Sequence, residues 1–285
     1  MTFKKLLQYT LSIVFSGALF MSCDKVEEPF TRKITVDTTQ QQHVKRVLLE
    51  DYTGHMCPNC PDAAVVAQNL KNYRGDKLVV IAIHAGWFAK SLPGFTADYT
   101  TPAGNEWDTF FGISNAGNPN GMVNRKYYTT AEHILSPSAW SESIEVALAE
   151  PAAIDLNITN TYQSSDRNLV TDIKVDFVQE LDRNLNLIVV LTESGIVSPQ
   201  KNINPEIGAT PVIEDYVHNH MLRASITPGS WGTQIAAVGT ENDESLTKSF
   251  AYTLPSTFVS DNCTVVAFVY DTETKEVLQV AEKEL

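Results

Sequence analysis

The first part of the chain combines apolar runs with a helical pattern. Residues 43–51 are rich in Val and Leu, and Leu78–Ile83 is apolar at every position. A run of the second kind is typical of a strand that is buried on both faces of a sheet. Between the two runs, Val66, Leu70 and Tyr73 have the spacing of one helical face. The pattern predicts two parallel strands joined by a crossover helix.

The mixture of helices and strands continues to residue 150. Residues 105–113 and 137–150 predict two further helices, and residues 122–125 predict a strand between them. Trp140 and Ile144 share one face of the last helix. This region therefore favours an α/β domain.

From Pro151 the period becomes that of strands. Residues 154–159 and 173–177 alternate between apolar and polar side chains. Further strand candidates are residues 185–191, 250–254, 264–270 and 277–281. Several short strands without helices are typical of an antiparallel β-sandwich. A length of 285 residues also favours two domains, and we place them at residues 43–150 and 151–285.

The N-terminus has the features of a secretory signal over residues 1–22. A basic start is followed by an apolar run over residues 6–20, which is shorter than the roughly 18–20 residues that cross a bilayer. The sequence around Cys23 resembles a bacterial lipobox, which implies cleavage before Cys23 and attachment of lipid to it. Residues 23–42 are polar and predict a tether. Its acidic start resembles the export signal of surface lipoproteins.

Charge limits the partners. The formal net charge is -13, and 43% of the residues are hydrophobic. So acidic a surface does not favour nucleic acid or anionic lipid headgroups through bulk electrostatics. We expect envelope or extracellular proteins as partners, and contact with the membrane through the N-terminal lipid.

The candidate chemistry lies in Cys57-Pro58-Asn59-Cys60, directly before the first predicted helix. The helix dipole and free backbone N–H groups favour a thiolate on Cys57, and Cys60 lies one turn further on. We assign Cys57 as the nucleophile and Cys60 as the resolving cysteine of a disulfide. His55 would lower the pKa of Cys57 as an imidazolium, and His84 follows the buried strand at the same sheet edge.

Alternatives to a redox pair remain open. The two cysteines could form a static structural disulfide. They fall short of a four-ligand zinc set, which His55 and His84 would complete only if both converge, so we predict no metal site and no cofactor. Cys263 is left over, either as a buried hydrophobic residue or in an intermolecular disulfide. His218 and His220 are expected on one face of a strand, where they favour a hydrogen-bonded structural pair with Tyr216 and Arg223 over a metal site.

The strand, the Cys57–Cys60 motif on a helix and a later proline together resemble the thioredoxin fold over residues 43–150. In that fold a cis-proline faces the cysteine pair and receives the substrate chain. The resemblance implies this role for Pro119, with Asn118 as the contacting residue before it. The motif departs from the family because Met56, not Trp, precedes Cys57.

A longer pattern resembles the outer membrane protein 28-related lipoproteins of Gram-negative bacteria. The segments that carry the resemblance are Cys23 and residues 50–61, 118–125, 191–200 and 216–223. The family implies a thioredoxin-like domain followed by an all-β immunoglobulin-like sandwich, on a lipoprotein anchored in the outer membrane at its periplasmic face or at the cell surface. Receptor or adhesin roles have been suggested for it.

Two functions follow. In the first, the protein is an envelope thiol–disulfide oxidoreductase that acts through Cys57 and Cys60. In the second, it is a non-enzymatic surface binding protein with a structural disulfide.

Overall fold

The computed structural model describes residues 43–128, 133–237, 239–241 and 243–285, and residues 43–285 form one compact unit. The predicted signal peptide at 1–22, the predicted lipid site at Cys23 and the predicted tether at 23–42 lie outside the described residues. None of the helices within the described ranges is long and apolar enough to cross a membrane.

The described helices are α1 Cys60–Arg74, α2 Pro102–Phe111, α3 Ile113–Ala116 and α4 Pro137–Leu148. The first strands are β1 Val47–Thr53, β2 Leu78–His84, β3 Asn120–Val123, β4 Ile154–Gln163, β5 Asn168–Phe177 and β6 Leu185–Glu193. The remaining strands are β7 Ile196–Lys201, β8 Val212–His218, β9 Met221–Ser225, β10 Thr233–Ala236, β11 Ser245–Thr253, β12 Cys263–Asp271 and β13 Val277–Glu284.

The predicted strand–helix–strand unit is confirmed by β1, α1 and β2. The two strands are parallel, with Val47 opposite Leu78 and Thr53 opposite His84. Leu48 faces the core that contains Trp107, whereas Leu49 faces α1 and α4. Both faces of this sheet are therefore covered, which is why its central strands are apolar at successive positions.

The predicted fold class, an α/β thioredoxin-like domain followed by an all-β immunoglobulin-like sandwich, is wrong. Strands dominate the described residues, and one mixed sheet with the order β13-β12-β6-β9-β2-β1-β3 crosses the predicted boundary at residue 150. The join lies between β2 and β9, where Ala82 N–H donates to His220 O at 2.8 Å. Hydrophobic period predicts strands but does not specify which edge each strand pairs with.

Two smaller sheets complete the unit. The antiparallel sheet β11-β5-β4 packs its apolar face on β6 and β12, as shown by the shared core of Leu156, Ile173, Val189 and Val265. Strands β7 and β8 pair only with each other among the named strands of the described chain. We call residues 196–218 the β7–β8 hairpin, and it lies against the cysteine motif.

Candidate functional site

Cys57 and Cys60 form a disulfide at the N-terminus of α1. Cys60 is the first residue of the helix and Pro61 is the second, and the two cysteine Cα atoms are 5.4 Å apart. The relative exposure of Cys57 is 0% and that of Cys60 is 2%. The pair is therefore in its oxidised state and closed to solvent.

The turn before the helix is fixed by backbone hydrogen bonds. Cys57 N–H donates to Gly54 O at 2.9 Å, and Met56 N–H donates to Phe88 O at 3.0 Å. A Cβ atom at Gly54 would lie 2.4 Å from the backbone carbonyl carbon of Phe88, closer than any side chain tolerates. Glycine at position 54 thus allows the segment around Phe88 to pack on the motif.

The other side of the motif is covered by the β7–β8 hairpin, which the sequence analysis did not identify. Lys201 N–H donates to His55 O at 2.8 Å, and Ile203 N–H donates to Pro58 O at 3.1 Å. The buried side chain of Gln200 donates from Nε2 to Cys57 O at 2.9 Å. Residues 200–203, which we call the cover segment, therefore lie directly on the disulfide turn.

Three histidines come together beside the motif. The ring centroids of His55 and His84 are 6.4 Å apart, those of His84 and His218 are 5.5 Å apart, and the Tyr99 ring lies within 6 Å of all three. His218 Nε2 hydrogen-bonds to Ser198 Oγ at 3.0 Å. Both ring nitrogens of His84 are buried without a hydrogen-bond partner.

Burial favours the neutral form of His84 and of His218. It lowers the pKa of His84 well below its usual value, and the nearby His218 and His55 lower it further. Burial, followed by the effect of His55, lowers the pKa of His218 to about 4. Within the described chain, no group of three or more His, Cys, Asp or Glu residues is arranged to hold a metal ion. The modulating roles of His55 and His84 stay predictions.

His218 and His220 do not share a strand face. His218 ends β8, whereas His220 has φ +55° and lies in the connection to β9. His220 Nε2 lies 3.3 Å from Gln68 Oε1 on α1. The predicted pair is thus split between the histidine cluster and the neighbouring helix.

Asp51 is a buried carboxyl that the sequence analysis overlooked. Its exposure is 3%, its Oδ1 atom has no hydrogen-bond partner, and burial raises its pKa to about 7. The residue lines a cavity of about 190 Å³ together with Ala64 of α1 and Tyr216 of the hairpin. Ala64 lies one helical turn after Cys60, so the cavity begins one turn along α1 from the disulfide.

Asn118 and Pro119 lie at the same end of β1. Their peptide bond is cis, and β3 begins at the next residue, where Asn120 is opposite Tyr52. Asn118 Oδ1 is buried without a hydrogen-bond partner. Their predicted role in substrate binding stays a prediction.

Cys263 is remote in structure from this chemistry. It starts β12 in the core between β12 and the β11-β5-β4 sheet, with an exposure of 1%. Its Sγ donates to Val259 O at 3.3 Å, and burial raises the pKa of the thiol to about 12. These properties fit a buried small hydrophobic residue and disfavour an intermolecular disulfide.

A family model described as outer membrane protein Omp28 matches residues 106–285. HBP35 of Porphyromonas gingivalis has a similar structure, with a TM-score of 0.61 and 17% identity over 85% of this chain and 76% of that one. This likeness shows a common fold. A domain of the outer membrane lipoprotein Omp28 from Porphyromonas gingivalis matches 47% of this chain and 88% of its own at 20% identity, with a TM-score of 0.32. No curated protein matches the chain.

Proposed function

The chain belongs to the Omp28 family and is an outer membrane protein, and on that premise we propose that it is a thiol–disulfide oxidoreductase of envelope or extracellular proteins. The observation that carries the proposal is a disulfide at the N-terminus of α1, together with the buried Asp51 of β1, whose Oδ1 atom has no hydrogen-bond partner and which shares a cavity with residues of α1. The family and the outer-membrane location are those predicted from the sequence. Lipid attachment at Cys23 remains a prediction.

The exchange proceeds in two balanced steps. A substrate thiolate attacks Cys57 Sγ, the Cys57–Cys60 bond breaks, and Cys60 leaves as a thiolate that takes a proton. A second substrate thiolate then attacks the substrate sulfur of the mixed disulfide, and Cys57 leaves as a thiolate. Two electrons pass from the substrate dithiol to the pair. In reverse, the Cys57 thiolate attacks a substrate disulfide and Cys60 resolves the intermediate.

Asp51 supplies the proton that Cys60 needs. A carboxyl with a pKa of about 7 is partly protonated at neutral pH, so it can give a proton and take it back. The cavity that it shares with Ala64 is large enough to hold water and comes within one helical turn of Cys60, so we propose that water there carries the proton over the remaining distance. The first peptide N–H groups of α1 and the helix dipole favour the thiolate on Cys57.

Trapping of mixed disulfides tests the proposal. A Cys60→Ser variant keeps the nucleophile but lacks the resolving thiol, so it should accumulate covalent, reductant-sensitive complexes with envelope proteins. The matched Cys57→Ser variant should form none, because Cys60 alone lacks the attacking position. If the Cys60→Ser variant forms no complexes, the proposal fails.

The burial of both cysteines favours a second candidate, a non-enzymatic surface binding protein with a structural disulfide. Closing so short a loop would stabilise the fold by about 2 kcal/mol. In that case the Cys57→Ser/Cys60→Ser variant should lose about that much unfolding free energy and keep every binding phenotype. An oxidoreductase would lose its phenotype in the same variant.

A further inference from the structure

We propose that the substrate is an extended segment of another polypeptide, and that the cover segment, residues 200–203, occupies its place in the resting protein. The inference rests on the proposed function and names the substrate class of that site. The hairpin would then hold the site closed until a competing chain displaces it.

The cover segment donates two alternate main-chain N–H groups to carbonyl oxygens of the motif. Lys201 and Ile203 donate their N–H groups to the carbonyl oxygens of His55 and Pro58, at 2.8 and 3.1 Å. Asn202 N–H, between them, points the other way and donates to Pro211 O within the hairpin. Alternate residues therefore face the motif, which is the pattern by which domains bind extended peptides through main-chain hydrogen bonds.

Gln200 is the residue of the cover segment whose side chain reaches Cys57. It is 2% exposed, and its Nε2 donates to both Cys57 O and Gly54 O, at 2.9 and 3.3 Å. No other residue of the cover segment has a side chain that donates to Cys57. In this proposal the reactive cysteine of a bound chain takes the place of Gln200 beside Cys57.

We expect the hairpin to leave as a unit, which also requires breaking the hydrogen bond from Asn204 Nδ2 to Asp62 Oδ1 of α1, 2.7 Å long. The turn of the hairpin is held by its own hydrogen bonds, because Asn202 Nδ2 donates to Asn204 O at 2.7 Å and to Gly208 O at 3.1 Å. Its strands add no bond to the central sheet, and an isolated two-stranded sheet has little stability of its own. Gly195, with φ +75°, allows the chain to turn at the start of the hairpin.

The probe is a peptide with the sequence of residues 198–204 in which cysteine replaces the glutamine, activated as an aromatic disulfide. The Cys57 thiolate of a Cys60→Ser chain attacks the peptide sulfur and releases a coloured aromatic thiolate, which gives the rate. A control peptide carries N-methyl groups on the amides that correspond to Lys201 and Ile203. The Cys57→Ser/Cys60→Ser chain gives the background from Cys263.

Two separate substitutions weaken the contact of the cover segment with the motif, so that the test does not depend on one variant folding correctly. Gln200→Ala removes the side-chain bonds to the motif, and Ile203→Pro removes the N–H donor to Pro58 O at a position whose side chain is 64% exposed. Each, in the Cys60→Ser background, should speed the reaction of the peptide at least about fivefold. The N-methylated peptide should react at least about tenfold more slowly than the parent, since two main-chain hydrogen bonds are lost.

A small aromatic disulfide that carries no peptide separates the peptide-binding inference from the oxidoreductase proposal. If it reacts with Cys57 in the loosened variants while both peptides react equally fast, the peptide-binding inference is overturned and the oxidoreductase function stands. If neither it nor the peptides react with Cys57 in those variants, the oxidoreductase function itself is overturned.

Discussion

Glu50 and Asp51 are adjacent carboxyl residues on β1, both buried, and only Glu50 has a cationic partner within the described chain. Arg125 donates to both oxygens of Glu50, at 2.7 and 2.9 Å, and both side chains are fully buried. The Oδ1 atom of Asp51 has no hydrogen-bond partner. Successive side chains of a strand point to opposite faces, so one carboxyl forms an ion pair and the other lies beside the cavity.

The Asp51→Asn variant should be more stable than the natural protein at high pH. The pKa of Asp51 is raised from 3.8 to about 7 on folding, so the folded state holds a proton that the unfolded state releases. Stability from this group is present below about pH 4 and is lost as the pH rises to about 7. The variant should therefore gain up to about 4 kcal/mol of unfolding free energy at pH 8 and little at pH 4.

Urea unfolding at both pH values measures this change, with Asp215→Asn, at an exposed position of β8, as the matched control. The Asp51→Asn variant should also slow the release of Cys60 and the resolution of mixed disulfides, because it lacks the proposed proton donor. An equal gain at pH 4 and pH 8 would contradict the assignment of the raised pKa.

Arg125→Met should destabilise the protein by about 3–5 kcal/mol, because it leaves the Glu50 carboxylate buried without a partner. The guanidinium also lies 4.7 Å from the Trp107 ring centroid and 5.1 Å from that of Phe268. The Glu50→Leu/Arg125→Met variant should recover most of the loss, since no buried charge remains. Denaturant unfolding compares the two variants. If the double variant is as unstable as Arg125→Met, the loss does not come from the unpaired Glu50 charge, and the ion pair itself stabilises the fold.

His84→Phe should weaken the loss of stability on acidification. The unfolded chain takes up a proton at His84 below about pH 6.5, whereas the folded state, with its pKa well below 6.5, does not. Stability is thus lost as the pH falls, at up to about 1.4 kcal/mol per pH unit for each such group. His218 adds a similar loss between pH 6.5 and about 4.

The groups that face His84 are His55, His218, Tyr99 and the more distant Arg223. Thermal or urea unfolding between pH 7 and pH 4 measures how stability depends on pH, and this dependence should be shallower for His84→Phe than for natural His84. The comparison is made in the Asp51→Asn background, which removes the opposing effect of the Asp51 carboxyl. An unchanged slope in the His84→Phe variant would show that His84 is protonated in the folded state over this range.

The local hydrophobic and cysteine spacing predicted the strands and the helix around the motif, but it did not predict the β7–β8 hairpin that covers the motif. The apolar run of β2, the helical spacing of α1 and the cysteine spacing were sufficient for the strand–helix–strand unit and its disulfide. The β7–β8 hairpin contains Pro199, its Val197 and Val217 are exposed, and its buried Gln200 and His218 are polar, so it shows no alternating apolar pattern of a strand. Its position depends on bonds such as that from Gln200 to Cys57, 143 residues away.

Asp51 and the β2–β9 pairing were also beyond sequence patterns. A single carboxyl at the end of an apolar strand is usually solvated, and only its burial beside α1 raises its pKa. The pairing of Ala82 with Met221 joins the two predicted domains into one sheet. Neither hydrophobic period nor turn residues specify such a contact between strands distant in the chain.

The reduction potential of the Cys57–Cys60 pair tests the central claim most directly. It can be measured by equilibrating the protein with glutathione or dithiothreitol buffers and quantifying the two thiols with an alkylating reagent. Stabilisation of the Cys57 thiolate by the N-terminus of α1 favours the reduced form, so we predict a potential above about −300 mV. A potential below about −300 mV would mark the disulfide as structural and contradict the proposed oxidoreductase function.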